Sequence, residues 1–397
     1  MVCETDACPH LETVLGSLEL CWIDIISGNF IGVPCVCQIP VKRSDIMSNT
    51  PTLELETRRR FLKRSVLAGS ITVVGVPTLT GTAAAATIRV PEDYSSIQAA
   101  VDNAAPGDTV VVNGGTYVEE VTITKDLTLR GQNSPTIESP DSLTSRGIVR
   151  VEGSVDVEVR GFEIDGAGNG DGEGDDFDGI LYQGASGTIR DNSVVRVRDD
   201  ELKGNQRGVG IVVRGGGTVD IKDNLLEDYQ KNGIVIQNAG TTAEIKRNTV
   251  VGAGVTDLIG QNGIQMSGGA EGAIQDNDVR DHVYDDTGPV VATGVLLFGV
   301  DSITVQKNSL TNTEIGVASL GSDNRIIRNR IDEGSDDDWG ILLFAGDNVK
   351  VTNNTISDYT TGIQVAAGTN NKVIRNRFTN VDDNITDSGT DTKVHPN

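Results

Sequence analysis

The stretch "GIVIQNAGTTAEIKRNTV", residues 233–250, holds two apolar–polar alternations joined by a short polar link. Alternation with period two marks strands, because successive side chains of a strand point to opposite faces. Asn248 stands where the second alternation asks for one more apolar residue. The phrase recurs. Its openings are Gly179-Ile180, Gly210-Ile211, Gly233-Ile234, Gly263-Ile264, Gly294-Val295, Gly316-Val317, Gly340-Ile341 and Gly362-Ile363. Its asparagines are Asn192, Asn224, Asn248, Asn277, Asn308, Asn329, Asn354 and Asn376. Each Gly precedes its Asn by 13 to 15 residues, whereas successive asparagines lie 21 to 32 apart. One half of the repeat is therefore fixed in length, and the other takes the insertions.

Period-two alternation excludes helical repeats. A short repeat with long insertions at one corner predicts a solenoid of parallel strands, its coils stacked about 4.8 Å apart. Equivalent positions then fall into columns. An Asn column at a tight bend can link its side-chain amides from coil to coil, and Asn tolerates the left-handed conformation that such bends use. Asn248 reads as scaffold on this argument. Chemistry belongs elsewhere.

The repeat "GIxVx…xIxxNxI" resembles the right-handed parallel β-helix of the pectin-lyase-like superfamily. The opening "IRVPEDYSSIQAAVDNAAPGDTVVVNGGTYVEEVTITKDLTLRG", residues 88–131, is similar to the first coils of secreted β-helix proteins, including NosD-like and pectinesterase-like branches. The resemblance implies an all-β fold of ten or eleven coils over 87–380, followed by a polar tail over 381–397. In "SSIQAAVDNAA" Ser95 and Gln98 are placed as a capping box, and Ile97, Ala100, Val101 and Ala104 share one face. That helix is expected to plug the N-terminal end of the core.

Composition agrees with many short strands rather than a helical bundle. The 397 residues include 47 Gly and only 4% aromatics, and the formal net charge is −24. Acidity of that size argues against nucleic acid, which needs clustered Lys and Arg. It suits a solvated, salt-tolerant surface. All five cysteines lie within the first 37 residues, and their spacing fits a zinc site poorly. Residues 57–63 read "TRRRFLK", and an apolar run and "TAAAA" at 82–86 follow. That order resembles a twin-arginine export signal. The expected organisation is therefore a mis-assigned start or disordered lead at 1–46, a signal at 47–86 beginning from Met47, and an extracellular or cell-surface body. The apolar run is short for a span of about 20 residues, so no stable membrane insertion is expected after cleavage. A monomer is expected.

The insertions follow the strand after each Asn and precede the next Gly-Ile, so they build one wall of a groove whose floor is the Gly-Ile strands. Outward floor positions give a polar row, Gln183, Arg214, Gln237 and Gln265, followed by an apolar patch containing Leu296, Phe298, Leu342 and Phe344. Amide and guanidinium donors beside aromatic faces suit an extended sugar chain. With Tyr284 and Phe298 these residues form the candidate substrate site. Asp175, Asp176, Asp178 and Asp199 offer an oxygen-rich set suited to Ca²⁺, against the plain alternative of surface acidity. No other cofactor is expected. His282, Asp285 and Asp200 are the candidate set for proton abstraction or general acid–base work. The polygalacturonase, alginate-epimerase and pectinesterase motifs do not occur. Two functions follow from the resemblance. One is binding, with lyase, hydrolase or epimerase processing, of a polysaccharide. The other is a non-catalytic, NosD-like surface or accessory scaffold for a protein or glycan partner.

Overall fold

The structure, a computed structural model, describes residues 85–172, 176–285, 290–334 and 338–395. The expected lead and nearly all of the export signal lie outside them. The body is a stack of parallel strands in two ladders, one of thirteen strands and one of twenty. Every coil gives one strand to the first ladder and its remaining strands to the second, and from Asn192 onward the bend between them falls at an Asn. The strands Thr87–Val90 and Lys393–His395 flank eleven complete coils. The core is a continuous column of Ile, Val and Leu from Val90 to Val373.

The Asn column is buried and its amides are saturated. The Asn248 Nδ2 donates to the Ile221 carbonyl at 2.9 Å and to Asn277 Oδ1 at 3.1 Å. Its Oδ1 accepts from the Asn224 backbone N–H at 3.0 Å and from Asn224 Nδ2 at 2.9 Å. The pattern runs from Asn192 to Asn376 without a break. A shorter relay joins Asn324 and Asn371 to backbone groups at another corner. One expectation is corrected. The left-handed residue of the bend is not the Asn but its predecessor: Asp223, Arg247, Asp276 and Lys307 have φ of 57°, 55°, 54° and 56°. The Asn is required for its amide, which closes the bend.

The glycine column answers to a different constraint. A Cβ on Gly233 would lie 2.4 Å from Val250 Cγ1 and 2.7 Å from the Gly263 carbonyl oxygen. The chain passes so close to the opposite wall and to the next coil that no side chain fits, and packed interiors do not yield by that much.

The capping helix spans Ile97–Asn103, and Ile97, Ala100, Val101 and Ala104 are all buried. Its N-cap is Ser96 rather than Ser95, with Ser96 Oγ accepting from Ala99 N at 3.2 Å. Gln98 does not close a capping box. Glu119, one coil on, accepts from the N–H groups of Ile97 and Gln98 at 2.8 and 2.9 Å instead. The tail expected from 381 is also corrected, since strands continue over Arg377–Asp387 and Lys393–His395 and pair with the coil before.

Asn248→Ala strands buried partners on two neighbouring coils. At about 1–3 kcal/mol for each buried polar group left unsatisfied, a loss of roughly 2–4 kcal/mol is expected. A thermal melt should show the midpoint several degrees lower; a melt superposable on the native one would remove the ladder's claim.

Candidate functional site

The outward faces of the Gly-Ile strands carry three side-chain columns in strict register. The first runs Asp178, Val209, Asn232, Asn262, Thr293, Ile315, Trp339. The second runs Arg150, Leu181, Val212, Val235, Gln265, Leu296, Ala318, Leu342. The third runs Glu152, Gln183, Arg214, Gln237, Ser267, Phe298, Leu320. Gln183, Arg214 and Gln237 thus form the expected row. Gln265 does not belong to it. It follows its Gly by two residues, whereas Gln237 follows by four, so Gln265 stands in the middle column beside Val235.

Chemistry changes along the strip. Its first part is charged. Arg146 lies between two carboxylates, with Nε 2.5 Å from Asp178 Oδ2 and an ion pair to Asp176. Asp178 is fully buried and its Oδ1 has no partner. Burial pushes its carboxyl up to about 6, although Arg146 pulls the other way. Arg150 pairs with Glu152 at 2.5 Å, and Arg214 donates to Gln183 Oε1 at 3.2 Å. The Nε of each is buried and without a partner. Arg214 is held below its usual pKa by burial and by the charges of Arg146 and Arg150. Three guanidinium groups and one readily protonated carboxyl therefore share a neighbourhood with three unanswered polar atoms.

The middle part is a web of amides. Asn232 and Asn262 both donate to Gln265 Oε1, at 3.2 and 3.3 Å, and Thr293 Oγ1 donates to Asn262 Oδ1 at 2.7 Å. The last part is apolar. Leu296, Ile315, Ala318 and Leu342 form a buried cluster, with Phe298, Leu320 and Trp339 packed partly against it. A register shift between Ser319 and Leu320 displaces Phe344 from the column, and it remains exposed.

The wall beside the strip is itself paired. The insertions after Val251 and Arg280 run parallel, with Val255 opposite Val283 and Thr256 opposite Tyr284. Glu314 ties the wall to the floor by accepting from the N–H groups of Ala292 and Tyr284 at 2.6 and 3.3 Å. Burial pushes its carboxyl up to about 8.

The pattern of the family described as "Right handed beta helix region" matches residues 108–279 and 262–389. The chain belongs to the right-handed β-helix family. No curated protein sequence matches it. Among solved structures the β-helix is similar to the A-module of mannuronan C-5 epimerase AlgE4 from Azotobacter vinelandii. Identity is 19% and the TM-score 0.51, covering 77% of this chain and 96% of the other. It is similar to DFA-IIIase without its lid from Arthrobacter chlorophenolicus A6, at 16% identity and TM-score 0.53, covering 77% and 93%. It is also similar to PfbA, a surface adhesin of Streptococcus pneumoniae, at 14% identity and TM-score 0.50, covering 77% and 91%. At these identities the likeness is one of fold.

The β-helix corrects the candidate catalytic set. His282 faces the core. It is fully buried, and its Nε2 meets the Tyr229 hydroxyl. Burial lowers its pKa to about 3. The wall's pairing shifts register between Val251 and Gly254. His282 thereby turns inward, away from the exposed Asp285. Asp200 is exposed on a loop three coils earlier, beside Asp171 and Arg198. No substrate can bridge these three groups.

The candidate Ca²⁺ set does not assemble either. Asp175 lies outside the described residues, and Asp176 and Asp178 are turned to Arg146. Asp199 is buried and receives Arg207 Nε at 2.9 Å, Asn205 Nδ2 at 2.8 Å and Gln230 Nε2 at 3.2 Å, so it anchors its own loop. Among the described residues no group of three His, Cys, Asp or Glu side chains is placed to hold a metal. Sequence reasoning missed Arg146 and Arg150. The signal was present in "RGIVRVE", residues 146–152, where Arg150 and Glu152 take outward positions. In this coil Gly147 pairs with Asp178 and not with Gly179.

A neutral, buried His282 makes acid costly. Its folded pKa lies below that of an unfolded histidine, so the stability tied to it is present above about pH 6.5 and is lost as pH falls towards 3. The His282 ring resonances should show no titration between pH 8 and 5. A midpoint near 6.5 would place the ring in water instead.

Proposed function

We propose that this β-helix is an exported, extracellular or cell-surface protein that binds an extended acidic polysaccharide along the Gly-Ile strands, with an anionic sugar group at the Arg150–Arg214–Asp178 end. The observation that carries the reading is the cluster of partly exposed guanidinium groups, Arg146, Arg150 and Arg214, gathered about Asp178. A carboxylate or sulfate would accept from Arg150 and Arg214, and charge-assisted bonds of this kind are the stronger ones. Further along, the partly exposed amide of Gln237 offers a donor and an acceptor to ring hydroxyls, and Phe298 and Trp339 offer flat apolar faces. The similar structures include a mannuronan epimerase and a surface adhesin. One fold hosts many functions, so the weight rests on the arginine cluster.

Asp178 favours a second reading, in which the bound sugar is also processed. A carboxyl pushed up to about 6 exchanges its proton near neutral pH, as a general acid or base must. A second proton-transfer group in reach of it is not assigned.

The test is binding of oligogalacturonate by calorimetry, with a neutral oligosaccharide of equal length as control. Arg150→Gln with Arg214→Gln should weaken the acidic ligand at least tenfold and leave the neutral one unchanged; equal affinity for both would reject the anionic subsite. Because a bound anion favours protonated Asp178, affinity should rise as pH is lowered towards 6 and level off below it. Asp178→Asn should flatten that profile. If the protein also processes the chain, unsaturated or reducing-end products should accumulate from a uronic-acid polymer and vanish in the same variant.

A further inference from the structure

We infer that the last coils carry a second glycan-binding surface, remote from the groove: a narrow cationic band on the outer face of the thirteen-stranded ladder, shaped to hold a thread-like polyanion. One outward column of that ladder runs Thr128, Glu158, Thr188, Asp220, Glu244, Ala273 and Thr304. It then continues as Arg325, Lys350, Lys372 and Lys393. In its first half the carboxylates neutralise the basic column beside them. Glu158 takes Arg160 and Arg190 at 3.2 and 2.6 Å, Asp220 takes Lys222 at 3.6 Å, and Glu244 takes Lys246 at 2.9 Å. In the second half the acids are replaced by cations, and the neighbouring column becomes Gln306, Ile327, Thr352 and Ile374. Nothing there offsets the charge.

The bends repeat the switch. The left-handed position before the Asn is held by Asp191, Asp223, Arg247 and Asp276 in earlier coils, where Asp223 answers Arg247 at 2.7 Å, and by Lys307, Arg328, Asn353 and Arg375 in later ones. Local preference does not account for the change, since Asp and Asn suit that conformation better than Lys or Arg. All seven cations of the two columns are exposed, and among the described residues none has a carboxylate within ion-pair distance. Like charges stacked at strand spacing, about 4.8 Å, repel one another. A chain of net charge −24 does not need them for solubility.

The shape of the band selects the partner. Asp301, Asp323 and Asp347 stand on the turns leading into it, and Asp358 lies beyond its other edge. A flat anionic membrane would meet these acidic margins; a thread lying along the cations would not. Single-stranded nucleic acid binds through successive bases stacked on aromatic side chains, and the column between the cations offers Gln306, Ile327, Thr352 and Ile374, with one ring, His395, at its last position. An acidic polysaccharide meets every requirement. Such a surface would anchor the protein on its polymer while the groove engages a separate stretch, which raises the effective concentration at the groove.

The test uses the protein purified with all its described coils and immobilised heparin and polygalacturonate as probes. Lys350→Gln with Lys372→Gln and Lys393→Gln changes only exposed side chains, and an unaltered melt will verify folding. The native protein should be retained and elute with salt. The triple variant should bind at least tenfold more weakly and with a shallower salt dependence, while Arg150→Gln with Arg214→Gln should retain this binding. The inference is overturned if the native protein passes unretained at low salt, or if the triple variant binds like it. It is overturned equally if the groove variant alone abolishes retention, or if single-stranded DNA or phosphatidylserine vesicles bind as tightly as the glycans.

Discussion

A single chain of buried amides governs this molecule. Each asparagine of the ladder spends both halves of its side chain, accepting from the coil before and donating to the coil after and to a strand carbonyl. A buried amide without such partners would cost more than the bond returns. The column is therefore cooperative in a strict sense, since each member is tolerable inside the protein only because its neighbours are present. It also sets register. A coil slipped by one residue would bury Arg247 and expose Ile245, besides breaking the amide chain. The outward columns of the floor can be aligned over many coils because this one is.

Alignment turns a sequence of short strands into a graded surface. Positions that never touch along the chain become neighbours about 4.8 Å apart, and each coil contributes three outward side chains to the floor. The floor passes from guanidinium and carboxyl, through amides, to apolar and aromatic groups. The scaffold residues point inward or lie at the bends. The outward set is therefore free to vary without cost to the core, which is the reason one fold can carry unrelated tasks.

That division explains what the sequence made legible. Gly233 and Asn248 could be read because a contact or a hydrogen bond forces one residue type on every coil, and repetition exposes the constraint. Outward positions obey no such rule, and they are placed only by counting from the scaffold. Gln265 lies two residues nearer its glycine than Gln237, and that difference moves it to another column. Arg150 needed the same counting across a coil whose glycine is displaced by one. His282 and Asp199 were unreadable for another cause. They lie in or beside insertions, where local pairing shifts the alternation, and a buried acid or imidazole there has the same letter as a solvated one.

Charge gives the final step. In a strongly acidic protein, clustered cations are placed against the long-range field of the rest of the molecule, and screening over about 8–10 Å weakens that field without removing it. Many cations here are answered locally, as Arg190 is by Glu158, Arg150 by Glu152 and Arg247 by Asp223. Among the described residues Arg214 has no carboxylate within ion-pair distance, and neither have Lys350, Lys372 and Lys393, which the last coils stack in one column. Like charges stacked in one column repel one another, and an anion lying along the proposed band would offset that repulsion.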